Sequence, residues 1–453
     1  MPRVRHGVIW SRISGRPGKM GDLVLTGQET SFTYTREWLA SGQPGFCLLG
    51  DGSIWGESSV TYPVSERIPV FPRLLSLIPG NNPRNLQRRH YLDLLRRQTG
   101  REPPPGMETE WQLMLLGGHG GIGHIDVFAD DLTAQQWYRH QPPKAPPRSQ
   151  SRNAQSELWR MIKHEVLDEA TDFDPQIIEE ALGPTPSVGG MIPKLLVSID
   201  PDTKTPRFHP PDTPGERNVV LKIEPPEYTG LLDLEALCLQ VHRDAGFTTP
   251  RWWRIDHGDL RLLAVERFDR RDGRPLPMES LFSVIATGDH HFRETADILL
   301  EELGGVIDRL GQIARLPADA NEHLYRRFLM ALLTGNGDLH LENLSLLGGL
   351  DDCRWAPVYD PAPMRAWPRH DLVSAIPFDA SEYTDHGEFF IALGEHFGLS
   401  SQQTERCIEA ALDATADYAT RVMALKKVPK RQREQLQAIA QHERELLQQH
   451  LRE

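Results

Sequence analysis

Residues 335–347 read Gly335-Asn336-Gly337-Asp338-Leu339-His340-Leu341-Glu342-Asn343-Leu344-Ser345-Leu346-Leu347, a short polar interval between two apolar runs. An aspartate, a histidine and an asparagine are compressed into six positions. Asp338 and Asn343 have the D-x-x-x-x-N spacing of a phosphoryl-transfer loop, in which the aspartate takes the acceptor proton and the asparagine binds metal. Taken singly, Asp338 and Asn343 are ordinary turn formers and Asp360 an ordinary cap. Their order along the chain, with the upstream features below, gives them a joint meaning.

Upstream, the apolar positions Leu324, Phe328, Leu329 and Leu332 mark a helix over residues 321–333 that delivers the loop. Downstream, residues 344–347 read as a strand. Residues 357–361, Pro-Val-Tyr-Asp-Pro, read as the end of another, with Asp360 at its tip as a second metal-binding acid. Oxygen ligands of this kind suit Mg²⁺, which leans on nucleotide phosphates for the rest of its shell. His340 is placed to orient the loop, since no second ligand stands at metal spacing. His290 and His291 read as surface residues.

Further towards the N-terminus lie two elements that such chemistry needs. Thr185-Pro186-Ser187-Val188-Gly189-Gly190-Met191-Ile192-Pro193-Lys194 places adjacent glycines before a β-type run, where backbone amides approach a phosphate and Lys194 brings positive charge. After a polar, Pro-rich excursion, residues 218–223 form a second strand carrying Lys222, and the two runs could pair as a hairpin. The helix expected over residues 231–245 carries Glu235, a candidate ion-pair partner for Lys222. Residues 262–270 pass from a buried strand to a charged turn, Glu266-Arg267-Phe268-Asp269-Arg270, whose backbone could meet an adenine edge.

The first part of the chain is of a different kind. β-type runs at residues 8–10, 23–25 and 31–34 with Gly-containing turns predict a small antiparallel sheet, and residues 69–97 predict helix. Residues 115–123, Leu-Leu-Gly-Gly-His-Gly-Gly-Ile-Gly, lack the lysine and hydroxyl of a P-loop and read as a turn into a strand over 124–128. A Pro-rich stretch at 141–148 suggests a linker and a boundary near residue 150. A helix is expected over 156–166, another over 294–303, and helices from 388 onward. The last of these bears a basic cluster, Lys426, Lys427, Lys430, Arg431 and Arg433, read as a solvated face.

At 453 residues the chain exceeds a single core, and 39% hydrophobic with 25% charged residues is the composition of a globular protein rather than a disordered one. A net charge of −13 argues against binding nucleic acid by counterion release alone, so DNA contact is expected to be indirect. Cys47, Cys238, Cys353 and Cys407 form no ligand cluster and predict free thiols in a reducing compartment. No run reaches the roughly 18 apolar residues of a membrane span, so a cytoplasmic protein with no membrane partner is expected.

The pieces PSVGGMIPKLLV, VVLKIEPP, LAVERFDRR, GNGDLHLENLSLL and APVYDPAPM, in this order, make the chain resemble the HipA family, serine/threonine kinases that serve as toxins of type II toxin–antitoxin systems. The resemblance implies an α+β fold: a small N-terminal α/β subdomain (1–150), then a bilobal protein-kinase-like domain with an N-lobe (151–270) and a largely helical C-lobe (271–453). It implies ATP and Mg²⁺ as cofactors and Asp338 as catalytic base with His340 in the catalytic loop. Asn343 and Asp360 become metal ligands, and Ser187, Val188, Gly189, Gly190, Lys194, Lys222, Glu266 and Phe268 become nucleotide-binding residues. It implies autophosphorylation of Ser187 that switches the kinase off, and a protein substrate such as an aminoacyl-tRNA synthetase. It further implies a HipB-like DNA-binding antitoxin as partner and a role in persistence. Three departures stand out: Glu342 occupies a position where the family commonly has lysine, Met191-Ile192-Pro193 stand where small or polar residues are common, and the inter-domain segments are longer than usual for the family. A catalytically silent corepressor scaffold and a small-molecule kinase are the competing readings.

Overall fold

The computed structural model describes residues 4–55, 58–82, 85–140, 159–160, 162–163, 192–200 and 208–452. The chain divides into two units: an N-terminal one (Met1–Glu227, Arg251–Glu279 and Ala286–His290) and a C-terminal one (Tyr228–Pro250, Ser280–Ile285 and His291–Glu453). The expected boundary near residue 150, the glycine loop at 185–190 and most of the helix expected over 156–166 lie outside the described residues.

In the N-terminal unit, β1 (Arg5–Ser11), β2 (Gly18–Leu25), β3 (Glu29–Tyr34), β4 (Ser59–Pro63) and β5 (Asp126–Phe128) form a sheet in the order β4-β3-β2-β1-β5. Its neighbouring strands pair antiparallel, as the alternation of β-type runs predicts. The strand expected over 124–128 is confined to β5. The helical stretch expected over 69–97 resolves into Pro72–Leu75 and Leu86–Thr99, the second opened by an Asn85 side-chain cap and closed by Gly100 in the left-handed region.

A second sheet, order β7-β6-β8-β10-β9, comprises β6 (Lys194–Ile199), β7 (Phe208–His209), β8 (Arg217–Ile223), β9 (Trp252–His257) and β10 (Leu260–Glu266). β6 and β8 are neighbours, as the hairpin reading has it, and the excursion between them adds β7 to the outer edge. Period-two alternation sorts the faces. Leu195, Val197, Ile199, Val219, Leu221, Ile223, Leu262 and Ala264 pack into one apolar cluster with Trp159, Ile162 and Leu86. Lys194 and Lys222 therefore lie on the opposite face.

Near the end of β10 a buried charge cluster fastens the two sheets' connections together. Arg267 donates to the carbonyls of Gly120 (3.3 Å) and Gly121 (2.6 Å), and Arg270 donates to those of Gly121 (2.8 Å) and Gly123 (2.9 Å). Asp269 accepts from both guanidiniums and from the Gly123 amide (2.8 Å). Gly120 and Gly123 have φ of +70° and +85°, conformations that glycine adopts without penalty. The glycine-rich stretch is thus structural: its carbonyls take the guanidiniums of Arg267 and Arg270, and its Gly120 and Gly123 amides are already engaged by the carboxylates of Asp126 (2.6 Å) and Asp269.

The C-terminal unit is mostly helical, with Leu231–Asp244, Leu303–Gly311, Ala320–Thr334, His386–His396, Ser401–Ala414, Tyr418–Ala424 and Lys430–His450. Ala320–Thr334 is buried on nearly every side. Its Tyr325 hydroxyl donates to the Phe390 carbonyl (3.0 Å), and Tyr418 donates to the Thr334 carbonyl (2.9 Å). Two expectations fail here. Residues 294–303 form two 3-10 turns, Thr295–Asp297 and Leu300–Glu302, because Asp297 and Glu302 turn back to cap the preceding backbone amides, and the helix starts only at Leu303. Residues 357–360 are not a strand: the strand is Arg354–Trp355, and Asp360 has a left-handed φ of +50°, incompatible with extension.

All four cysteines are free and buried. No helix among the described residues is long and apolar enough to cross a membrane.

Asp269 defines a test of the clamp. Burial pushes its carboxyl up, but Arg267 and Arg270 prevail and hold it well below the usual carboxylate range. Asp269→Asn should cost about 3–5 kcal/mol, since it leaves two buried guanidiniums short of their counter-charge. The urea midpoint, compared with Asp351→Asn at an exposed turn, reads this out. A depressed folded-state value means the stabilisation is complete above the unfolded carboxyl's pKa of about 3.9 and fades as the pH falls below it, so the gap between mutant and wild type should narrow in acid.

Candidate active site

The helix Ala320–Thr334 ends on Gly335, whose φ of +75° lets its amide and that of Asn336 fold back onto the carbonyls of Leu332 (3.2 Å) and Ala331 (2.8 Å). The chain then enters a loop that closes on itself. Asn336 Oδ1 accepts the Asp338 amide (3.1 Å), the Asp338 carbonyl accepts the His340 amide (2.9 Å), and the His340 carbonyl accepts the Asn343 amide (2.9 Å). Asn343 Nδ2 donates to the Asp338 carbonyl (3.1 Å), which turns its Oδ1 the other way. His340 Nδ1 accepts the Glu342 amide (3.2 Å), placing the ring proton on Nε2. The loop thus brings Asp338, His340 and Asn343 into one hydrogen-bonded turn, with the Glu342 side chain exposed.

Asp360 reaches the same loop through its neighbour. The Tyr359 hydroxyl donates to the Glu342 carbonyl (2.7 Å) and accepts from the Ser345 hydroxyl (2.6 Å), so the residue before Asp360 is tied at both sides of Asn343. Burial raises the Tyr359 phenol and keeps it a neutral donor. From below, Arg327, 1% exposed, donates to the Asn343 carbonyl (3.4 Å), its pKa lowered to about 10 by burial. Among the described residues no three His, Cys, Asp or Glu side chains converge into a metal cage. Asn343 and Asp360 supply hard oxygen donors of the kind Mg²⁺ takes when a substrate's phosphates complete its shell, so the residues present fit that ion.

The loop also has a floor. The Arg365 amide donates to the Gly335 carbonyl (3.2 Å), and its guanidinium donates to Asp371 (2.8 Å) and to Glu443 (2.7 Å). Glu443, 0% exposed on the helix Lys430–His450, also binds His386 Nε2 (2.6 Å). Burial pushes its carboxyl up, and His386 and Arg365 hold it below its ordinary value.

In the N-terminal unit, the register pairs Lys194 with Lys222 directly across β6 and β8, and Leu263 flanks Lys222 on β10. Both lysines are buried, at 7% and 2% exposure, side by side on the face away from the apolar cluster. Glu266 ends β10. Its amide donates to the Arg251 carbonyl (2.8 Å), and its carboxylate faces Arg217 (3.3 Å) and Arg251 (3.8 Å). Phe268 follows within the clamp turn. Ser187, Val188, Gly189 and Gly190 lie outside the described residues. Glu235, the candidate partner of Lys222, is fully buried and lies on the helix Leu231–Asp244.

Sequence reasoning passed over Tyr359, Arg327, Arg365 and Glu443. Tyr359 adjoins Asp360 and Arg327 interrupts an apolar helix, both visible signals, whereas Glu443 sits in a Gln/Glu-rich helix with nothing to mark it.

A family model described as the HipA-like C-terminal domain matches residues 186–419, more than half of the chain. The chain belongs to this family. Two curated relatives share 27% identity with this HipA-like chain. One, named "Putative kinase", is from Haemophilus influenzae and aligns over 47% of this chain and 68% of its own length. The other, "Putative kinase Y4dM" of Sinorhizobium fredii, aligns over 36% of this chain and 39% of its own. Among solved structures, Shewanella oneidensis MR-1 HipA, determined in complex with HipB and operator DNA, superposes at a TM-score of 0.62 with 17% identity. That match spans 98% of this chain and 97% of the other. The likeness shows a HipA fold along the whole chain, so the expected α+β architecture is the observed one.

The floor of the loop is testable without an activity assay. Glu443→Gln removes a charge from two buried hydrogen bonds and should lower the unfolding free energy by about 2–4 kcal/mol. Amide exchange across residues 335–343, followed by mass spectrometry, should accelerate in the variant. Unchanged exchange there would show that the helix does not support the loop.

Proposed function

We propose that this chain is an ATP-dependent serine/threonine protein kinase of HipA type, the toxin of a type II toxin–antitoxin system in the cytoplasm. The observation that carries the reading is the closed turn Asp338–Asn343 with Tyr359 tying Asp360 to it. It ties Asp338, Asn343 and the residue before Asp360 into one hydrogen-bonded segment, which supports reading them as a base and two metal ligands, since positioning is most of what phosphoryl transfer asks of a protein. Asp338 accepts the proton of the acceptor hydroxyl, and His340 holds the turn through its Nδ1. Asn343 and Asp360 would hold Mg²⁺, which would supply charge neutralisation on the nucleotide phosphates.

Lys194 and Lys222 form a cation pair for those phosphates. Because the Glu266 amide is engaged by Arg251, a purine edge would be met by the Glu266 carbonyl and the backbone at Phe268. Ser187, Val188, Gly189 and Gly190 belong to the same nucleotide-binding reading, in which phosphorylation of Ser187 adds nearly two negative charges, opposes ATP binding and switches the enzyme off. The division into an N-terminal subdomain (1–150), N-lobe (151–270) and C-lobe (271–453) belongs to the same reading. The substrate is a translation-related protein such as an aminoacyl-tRNA synthetase. The partner is a HipB-like antitoxin through which DNA is reached indirectly; the presence of HipB and operator DNA with the Shewanella HipA supports this.

Wild type and Asp338→Ala, expressed side by side in a bacterial host and scored for growth and phosphoproteome, decide the matter. The wild type should arrest growth and add phosphoserine or phosphothreonine to a host protein and to Ser187. The variant should lose phosphoryl transfer by about 10²–10⁴-fold, the usual worth of a positioned base. Equal growth arrest by both would remove kinase action as its cause.

A further inference from the structure

The segment after Asp360 turns back onto the candidate catalytic loop. Arg365 is anchored beneath Gly335, and the Leu372 carbonyl lies so close to Gly337 that a Cβ there would come within 2.1 Å of it. Gly337 immediately precedes Asp338, so the close approach that only glycine permits sets Leu372 against the residue before the base and leaves His370 within electrostatic reach of Asp338.

What stands there is an ordered cation. The Arg369 guanidinium lies 4.7 Å from the centroid of the Tyr228 ring, and its Nε donates to His370 Nε2 (3.1 Å). The Tyr228 hydroxyl donates to the same nitrogen (2.7 Å), and Trp367 abuts the Tyr228 ring edge-on at 5.5 Å. His370 Nε2 accepts two hydrogen bonds, so its ring is neutral with the proton on Nδ1 and contributes no charge. Burial and Arg369 push the His370 pKa down, against a pull upward from Asp338. Asp371, the nearest acid in sequence, is engaged by Arg365. Among the described residues no carboxylate forms an ion pair with Arg369, whose side chain is exposed.

We infer that Arg369, stacked on Tyr228 and braced by His370, is the acceptor-side specificity residue, recognising an anionic group a few residues from the hydroxyl that is phosphorylated. This rests on the kinase reading and deepens it by naming a substrate class. The surrounding loop carries Asp338, Glu342 and Asp360 on a chain of net charge −13, so an anionic substrate segment meets repulsion at every one of these acids. A compensating group is the Arg369 guanidinium, held over an aromatic ring with its Nε engaged by His370, a planar fork of the kind that takes a carboxylate or phosphate in bidentate fashion.

The test uses the full-length protein with Mg-ATP and serine-centred peptide libraries in which one flanking position at a time holds glutamate, phosphoserine, glutamine or lysine. Autophosphorylation is recorded alongside. Wild type should prefer glutamate over glutamine by about fivefold in kcat/KM at one position, the worth of a solvent-exposed ion pair. Arg369→Glu should transfer the preference to lysine, and Arg369→Gln, which keeps the bulk, should level it. A further gain with phosphoserine over glutamate would identify phosphate rather than carboxylate as the preferred anion, both being forms of the same recognition. Transfer that proceeds with no anion preference, or with a preference untouched in both variants, overturns the inference and leaves the kinase reading standing. If wild type and Asp338→Ala alike transfer nothing to any acceptor, the kinase reading falls and the inference with it.

Discussion

A carboxylate and a guanidinium removed from water must satisfy each other, and in the C-terminal unit that requirement falls on Glu443 and Arg365. Each ion alone would cost several kcal/mol to bury. Together, with His386 on one side and Asp371 on the other, their hydrogen-bonding groups find partners within 2.6–2.8 Å. The pair joins the last helix to a segment whose backbone ends on the Gly335 carbonyl. The loop carrying Asp338 has little regular secondary structure of its own, so its shape is inherited from this support. Helices that are distant in sequence must pack before the loop acquires one conformation.

The N-terminal unit meets a related problem in a related way. An irregular, glycine-rich turn leaves carbonyls that no strand or helix partner can take, and buried polar groups without partners are costly. Arg267 and Arg270 supply the donors, with Asp269 balancing them. Arg327 does the same for the Asn343 carbonyl, and Arg326 for that of Ala245 (2.9 Å). A guanidinium offers five donors in a fixed plane, so one side chain can settle two or three carbonyls at a bend. Both irregular segments that matter most are therefore held by arginine rather than by backbone pairing.

Much of this was legible in the sequence because it rests on local pattern. Strand alternation set the faces of β6, β8 and β10, and with them the placement of Lys194 and Lys222 away from the apolar cluster. The interval at 335–347 declared its polar residues by spacing alone. The failures came where a side chain overrode the pattern: Asp297 and Glu302 cap amides and hold residues 294–303 in turns, and the left-handed Asp360 ends any extension. Glu443 and Arg365 were invisible because a partner 78 residues away leaves no periodic trace. The same holds for Arg267, whose partners at Gly120 and Gly121 lie about as far from it in sequence as the sheets they join.

Glu342 shows how a departure in sequence can leave geometry intact. Its amide is held by His340 and its carbonyl by Tyr359, so the backbone on both sides of this residue is fixed by groups that do not depend on what its side chain is. The side chain itself is exposed. An anion here therefore adds to the field around Asp338 without shaping the loop, and a negative rim raises the demand for a nearby positive group if an anionic partner is to approach. Arg369, ordered by Tyr228 on the adjoining segment, is placed to meet that demand. On the inference drawn above, the exposed Glu342 and the stacked Arg369 are two sides of one electrostatic arrangement, and the Glu342 backbone is held independently of its side chain.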